Sequence, residues 1–127
     1  LVQNTIDKNI GFLKEHGLYI NQLKLAQKGL SMELNENDKT TSSRVIMYCL
    51  LHEVGHHNHF CSMEKRLVYY NDLKTQEDLI KNYYNNWLCS GDKDADLDWY
   101  ANNLITEIEA NKFADKYVKR FDSLINQ

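Results

Sequence analysis

The sequence predicts an α+β domain, mostly helical, with a short antiparallel sheet packed beside its central helix. Three observations lead there. Apolar residues recur at helical spacing near both ends of the chain and in its middle. Two short runs that alternate apolar and polar residues flank a glycine between the first two helical patterns. The chain has 127 residues, 43% of them hydrophobic and 26% charged, which is the size and composition of one globular domain with its own core.

The first helix is read from Val2, Ile6, Ile10 and Leu13, which share one face; Gly17 is placed to end it at C′. The sheet is read from Leu23 and Leu25, then, after Lys28-Gly29, from Leu30, Met32 and Leu34. A polar break, residues 35–39, precedes a helix that Thr41, Ser42 or Ser43 can cap and that runs from Val45 past His56. Leu79, Ile80, Tyr83, Tyr84 and Trp87 predict a further helix from about Thr75 to Leu88. Asp92, Asp94, Asp96 and Asp98 resemble a calcium loop. Its sixth position is Leu97, where such a loop needs Gly, and its twelfth is Asn103, so an acidic helix cap is the better reading. The last helix is read from Leu97, Ala101, Leu104, Ile105 and Ile108 through Tyr117, Phe121 and Leu124.

Composition narrows the function. A net charge of −3 leaves no excess of Lys and Arg to neutralise phosphates, which argues against direct nucleic-acid binding. No apolar run approaches the roughly 20 residues that span a bilayer. Cys49, Cys61 and Cys89 are odd in number and form no CxxC pair, which points to a reducing cytoplasm.

The segment His52-Glu53-Val54-Gly55-His56 carries the sharpest signal. On a helix, residues four apart share a face, so both imidazoles can reach one metal, and Zn²⁺ suits two neutral imidazoles. Glu53, next to the first histidine, can act as a general base toward water whose pKa the metal lowers. Gly55 leaves room at the helix surface. No third His follows at the spacing of HExxHxxGxxH, and His57 and His59 point off the His52/His56 face at about 100° per residue. The third ligand is then a carboxylate from another helix, with Glu107 and Glu109 as candidates. Glu107 adjoins the apolar face of Leu104 and Ile108, where a carboxylate is costly unless paired or bound to a metal.

His52-Glu53-Val54-Gly55-His56, followed by Glu107-Ile108-Glu109-Ala110-Asn111-Lys112-Phe113-Ala114, resembles the ImmA/IrrE family of zinc metallopeptidases, with its HExxH and ExEANxFA helices. The resemblance implies a zincin-like fold over one domain, residues 1–127. It also implies zinc held by His52, His56 and Glu107, with Glu53 as catalytic base and Asn111 close to the histidine ligands. A strand over 29–35 and an Arg such as Arg44 entering the helix would fit the same pattern. Two departures stand out. No Met-Pro follows Ala114, and residues 57–106 form a long separation, within which about 62–98 reads as an insertion that covers or shapes the cleft. Tyr48, Tyr100 and His57 are the candidates for stabilising an oxyanion. The expected function is zinc-dependent endopeptidase action on a cytoplasmic regulatory protein, a helix-turn-helix repressor of a phage or mobile element. The alternative is a non-catalytic zinc-containing module that sequesters a repressor or toxin. A plain helical protein with a fortuitous motif is the third reading.

Overall fold

The computed structural model describes residues 2–60, 70–79, 81 and 103–125. Among them are four helices, α1 (Val2–Glu15), α2 (Tyr19–Leu30), α3 (Thr41–Phe60) and α4 (Ile105–Ile125), and a helical stretch over 70–79. No strand occurs among the described residues, so the fold is helical and the expected α+β architecture with a sheet is corrected.

The predicted hairpin is α2 and the loop after it. Its buried residues Tyr19, Leu23, Ala26 and Leu30 are spaced four, three and four apart, a helical face. Leu23 and Leu30 belong to that face, whereas Leu25 is half-buried and Met32 is exposed beyond the end of α2; counted together without Tyr19 and Ala26 they imitate a period of two. Gly29 makes no turn. A Cβ there would stand 2.8 Å from both the Tyr48 ring and Asp115 Oδ1, so the glycine lets α2 press against α3 and α4. The chain leaves α2 at Ser31, in the left-handed region at φ 55°. The N–H groups of Ser31 and Met32 donate to the carbonyls of Lys28 and Gln27, closing a Schellman end.

Gly17 ends α1 as expected, at φ 68°, with the N–H of Leu18 donating to Leu13 O at 2.8 Å. α3 begins at Thr41, but its first orphan donors are met differently from the reading above. The N–H of Thr41 donates to Asp38 O at 3.2 Å, and Asp38 Oδ1 accepts the N–H and hydroxyl of Thr40. Those bonds hold the Asp38 carboxyl below its usual range. The hydroxyl of Thr41 instead donates to Asn35 O.

α3 is the centre of the fold and packs against α1, α2 and α4. Val45, Tyr48 and Leu51 on α3 meet Ile10 of α1, the buried face of α2, and Ala114 and Val118 of α4 in one core. α3 and α4 run antiparallel, as their cross-pairs show. Arg44, early in α3, pairs with Asp122, late in α4, while His56, late in α3, meets Glu107, early in α4. The axes come close because small residues line the contact. A Cβ on Gly55 would fall 2.8 Å from Ala110 O and 2.9 Å from Ala110 Cα, and Ala110 and Ala114 are fully buried.

The helix expected from about Thr75 is already helical at residue 70; Ile80, Tyr83, Tyr84, Trp87 and the rest of its predicted length lie outside the described residues, apart from 81. The four aspartates 92–98, Cys61, Cys89, most of the 62–98 segment, and Leu97 and Ala101 of the last helix also lie outside them. That last helix is not continuous from Leu97 as expected. Leu104 is non-helical and accepts from Ile108 N, so α4 starts afresh at Ile105. No described helix is long and apolar enough to cross a membrane.

Candidate metal centre

His52 and His56 lie one turn apart on the face of α3 that meets α4. Glu107, at the start of α4, reaches both: Oε2 is 3.0 Å from His52 Nε2 and Oε1 is 3.3 Å from His56 Nε2. The two Nε2 atoms are themselves 3.0 Å apart. Two imidazole nitrogens and a carboxylate thus aim lone pairs at one small volume. Such a cluster needs a proton or a cation between its members.

A divalent ion fits the donor set. Ligand atoms about 2.1 Å from a tetrahedral ion stand about 3.4 Å from one another. The distances here are of that size: 3.0 Å between the two imidazole nitrogens, and 3.0 and 3.3 Å from them to the two different oxygens of Glu107. Asn111, one turn after Glu107, places Oδ1 2.7 Å from His52 Nδ1. A carboxamide oxygen only accepts, so the His52 ring carries its proton on Nδ1 and turns a bare Nε2 toward Glu107 and His56. This is the tautomer a metal ligand needs.

Electrostatics show that the cluster attracts positive charge, a proton on His52 where no cation is bound. Burial works against ionisation of Glu107, but the hydrogen bonds and charges of His52 and His56 outweigh it and bring its pKa down to about 2. Burial also works against a charged His52, yet the hydrogen bond and charge of Glu107, with Asn111 and Glu53 adding, lift its pKa above 6.5. The helix N-terminus further favours an anionic Glu107 in the first turn of α4.

Glu53 is exposed, and one of its oxygens lies within 4.8 Å of a ring nitrogen of each histidine. It borders the cluster from α3, whereas Glu107 reaches it from α4. Of the two carboxylates left open by the residue pattern, Glu107 is brought to the histidines. Glu109 is exposed and lies 3.4 Å from Lys112 Nζ.

Of the three expected oxyanion stabilisers, the structure excludes one. Tyr48 is buried under the core, 1% exposed, and its hydroxyl donates to Asp115 Oδ1 at 2.8 Å. It is not free to stabilise an oxyanion. His57 is exposed, and Tyr100 lies outside the described residues. His59, off the ligand face as expected, meets Asp72 Oδ2 at 3.1 Å.

Sequence reasoning missed the contacts that the 70–79 stretch makes around the centre. Asp72 meets α3 at His59, and Gln76 meets α4 at Thr106 through Nε2 to Oγ1 at 3.0 Å and Thr106 N to Oε1 at 3.3 Å. Both contacts join residues far apart in sequence, and no local pattern announces them. Comparisons of the chain with protein-family models, with curated proteins and with solved structures return no match.

Proposed function

We propose that the chain is a zinc-dependent endopeptidase. The observation that supports this best is the convergence of His52, His56 and Glu107 on one point, with separations of 3.0–3.3 Å and Glu53 at its open edge. His52, His56 and Glu107 would hold the ion, a three-ligand set that leaves a fourth position open. Bound zinc supplies Lewis acidity, polarising a peptide carbonyl and making water easier to deprotonate. The chain does the rest. Asn111 holds the His52 ring in its ligating tautomer. Glu107 brings the negative charge that neutralises part of a dication. Glu53 takes the proton of the attacking water and passes it to the leaving amine.

The substrate class rests on the resemblance to ImmA/IrrE metallopeptidases: a cytoplasmic regulatory protein, specifically a helix-turn-helix repressor of a phage or mobile element. The test is Glu53→Gln. Glu53 holds no metal in this scheme, so the variant should keep zinc and fold while losing about 10²–10⁴-fold in cleavage rate. In cells carrying a reporter under such a repressor, the wild type should relieve repression and shorten the repressor, and the variant should do neither. Zinc is measured on the same sample. A zinc-loaded Glu53→Gln protein that relieves repression as well as the wild type replaces the peptidase with a module that sequesters its partner.

A further inference from the structure

The first turn of α4 has an unusual supply of hydrogen bonds. Its flanking residue is Leu104, whose carbonyl accepts from Ile108 N but whose side chain offers no acceptor to the first free N–H groups. Glu107 is the third residue of the helix, where a Glu ordinarily folds back over the helix start in a capping box. Here it is turned to His52 and His56 instead. The acceptor comes from elsewhere in the chain. Gln76 Oε1 accepts from Thr106 N at 3.3 Å, and the carboxamide pairs a second time with the Thr106 hydroxyl at 3.0 Å. Gln76 and Thr106 are 4% and 5% exposed, so water is poorly placed to substitute.

We infer that Gln76 is a positioning residue for Glu107: it caps α4 in place of Leu104 and Glu107, fixing the first turn and leaving the Glu107 carboxylate free to meet the histidines. This rests on the metal-centre reading above. Thr106 immediately precedes Glu107, so a shift of its N–H moves the carboxylate by a similar amount. The other side of the 70–79 stretch is held at Asp72 by His59, three residues past His56. The stretch therefore bridges the two helices that carry the ligands.

The experiment compares wild type, Gln76→Met, Gln76→Glu and the exposed control Lys81→Ala. Each is read by circular dichroism, by Thr106 amide exchange without metal, by zinc affinity against a chelator, and by the visible spectrum of the Co²⁺-loaded protein. Gln76→Met removes the acceptor at similar volume. It should retain helicity, exchange Thr106 faster, bind zinc about 10- to 100-fold more weakly, and shift the Co²⁺ bands. Gln76→Glu keeps acceptors for the Thr106 N–H and hydroxyl and should restore most of the affinity and the spectrum. Lys81→Ala should match the wild type. If Gln76→Met unfolds, the near-isosteric Thr106→Val, which keeps the capped N–H but removes the hydroxyl contact to Gln76, tests the same pairing, with a several-fold loss expected.

Faster Thr106 exchange in Gln76→Met with wild-type zinc affinity and Co²⁺ spectrum would make Gln76 a mere cap and overturn the inference. A wild type that takes up neither metal overturns the metal-centre reading, and the positioning role with it.

Discussion

The two ends of the α3–α4 pair are built from opposite chemistry. At one end Arg44 Nε meets Asp122 Oδ1 at 2.8 Å, and the Arg44 guanidinium also donates to Thr40 Oγ1. Donors face acceptors there, and the charges cancel. At the other end two imidazole nitrogens and a carboxylate, all three able to accept, face one another at 3.0–3.3 Å. The first end is complete within the chain; the second is completed by a proton or a cation. An ion pair between two helices therefore reads as architecture when its groups are complementary, and as a binding site when they are alike.

Changes at the ligand end should have the largest effect. Metal analysis should find about one zinc per chain, the count for one tetrahedral site. His56→Ala and Glu107→Ala should each lose it under dialysis, while Glu109→Ala keeps it. Full zinc in His56→Ala, or the reverse ranking of the two glutamates, would contradict the site.

Forcing the helices apart at the same end comes next. Gly55→Ala drives a methyl into the Ala110 backbone, and backbone cannot rotate out of the way as a side chain can. Overpacking of this kind costs about 1–3 kcal/mol and should also weaken zinc binding. Gly11→Ala is the contrast, since a Cβ there meets nothing within 4 Å. It should stabilise α1 by about 0.5–1 kcal/mol. Urea titrations of both variants give the two signs.

The complementary end should respond in stability alone. Arg44 and Asp122 are mostly buried, with side chains 15% and 16% exposed, so solvent screens their pairing only in part. Asp122→Ala leaves the guanidinium short of an acceptor and should cost about 1.5–3 kcal/mol. Zinc affinity should stay within about twofold, as expected for a distant, independent site. A parallel fall in zinc affinity would show that the two ends are coupled.

The smallest effect lies between the ends, at Cys49. Burial, with the Glu53 charge adding, pushes its thiol up to about 11 from 9.0. The folded value lies above the unfolded one. The neutral thiol's contribution to stability is therefore whole below about pH 9 and is lost as pH rises through about 11. With Cys61 and Cys89 changed to Ser, the rate of iodoacetamide reaction should keep climbing to pH 11. A plateau near pH 9 would show an ordinary exposed thiol.

What the sequence made legible was the short-range part of this arrangement. The His52/His56 spacing, the Glu53 position and the Gly17 stop depend on residues within one or two turns, and a helical repeat is enough to read them. Glu107 and Asn111 were legible as a pair because they too sit one turn apart, although the choice of Glu107 over Glu109 leaned on a resemblance. The sheet was misread because five leucines and methionines sampled at alternate positions look alike on a strand and on a helix, until Tyr19 and Ala26 are counted. Gly29 was misread because a glycine that permits a turn and one that permits close packing are identical in sequence. Gln76 and Asp72 were silent because their partners are set by the tertiary path of the chain.

The polar pairs between α3 and α4 also fix how far one helix is slid along the other. On α3 the members are Arg44, Tyr48, His52 and His56, each one turn from the next; on α4 they are Asp122, Asp115, Asn111 and Glu107, with steps of seven, four and four. A slip of one turn would leave His52 beside Glu107, which it already meets, and bring Tyr48 to Asn111, and both could still find an acceptor. Arg44 would then face Val118. The uneven seven-residue step makes Arg44–Asp122 the key that rejects this misalignment, and Gly55, shaped to Ala110, rejects it a second time. The far ion pair, which touches neither histidine nor Glu107, thus favours the register in which those three side chains meet, and the Gly55–Ala110 fit holds the same register without it.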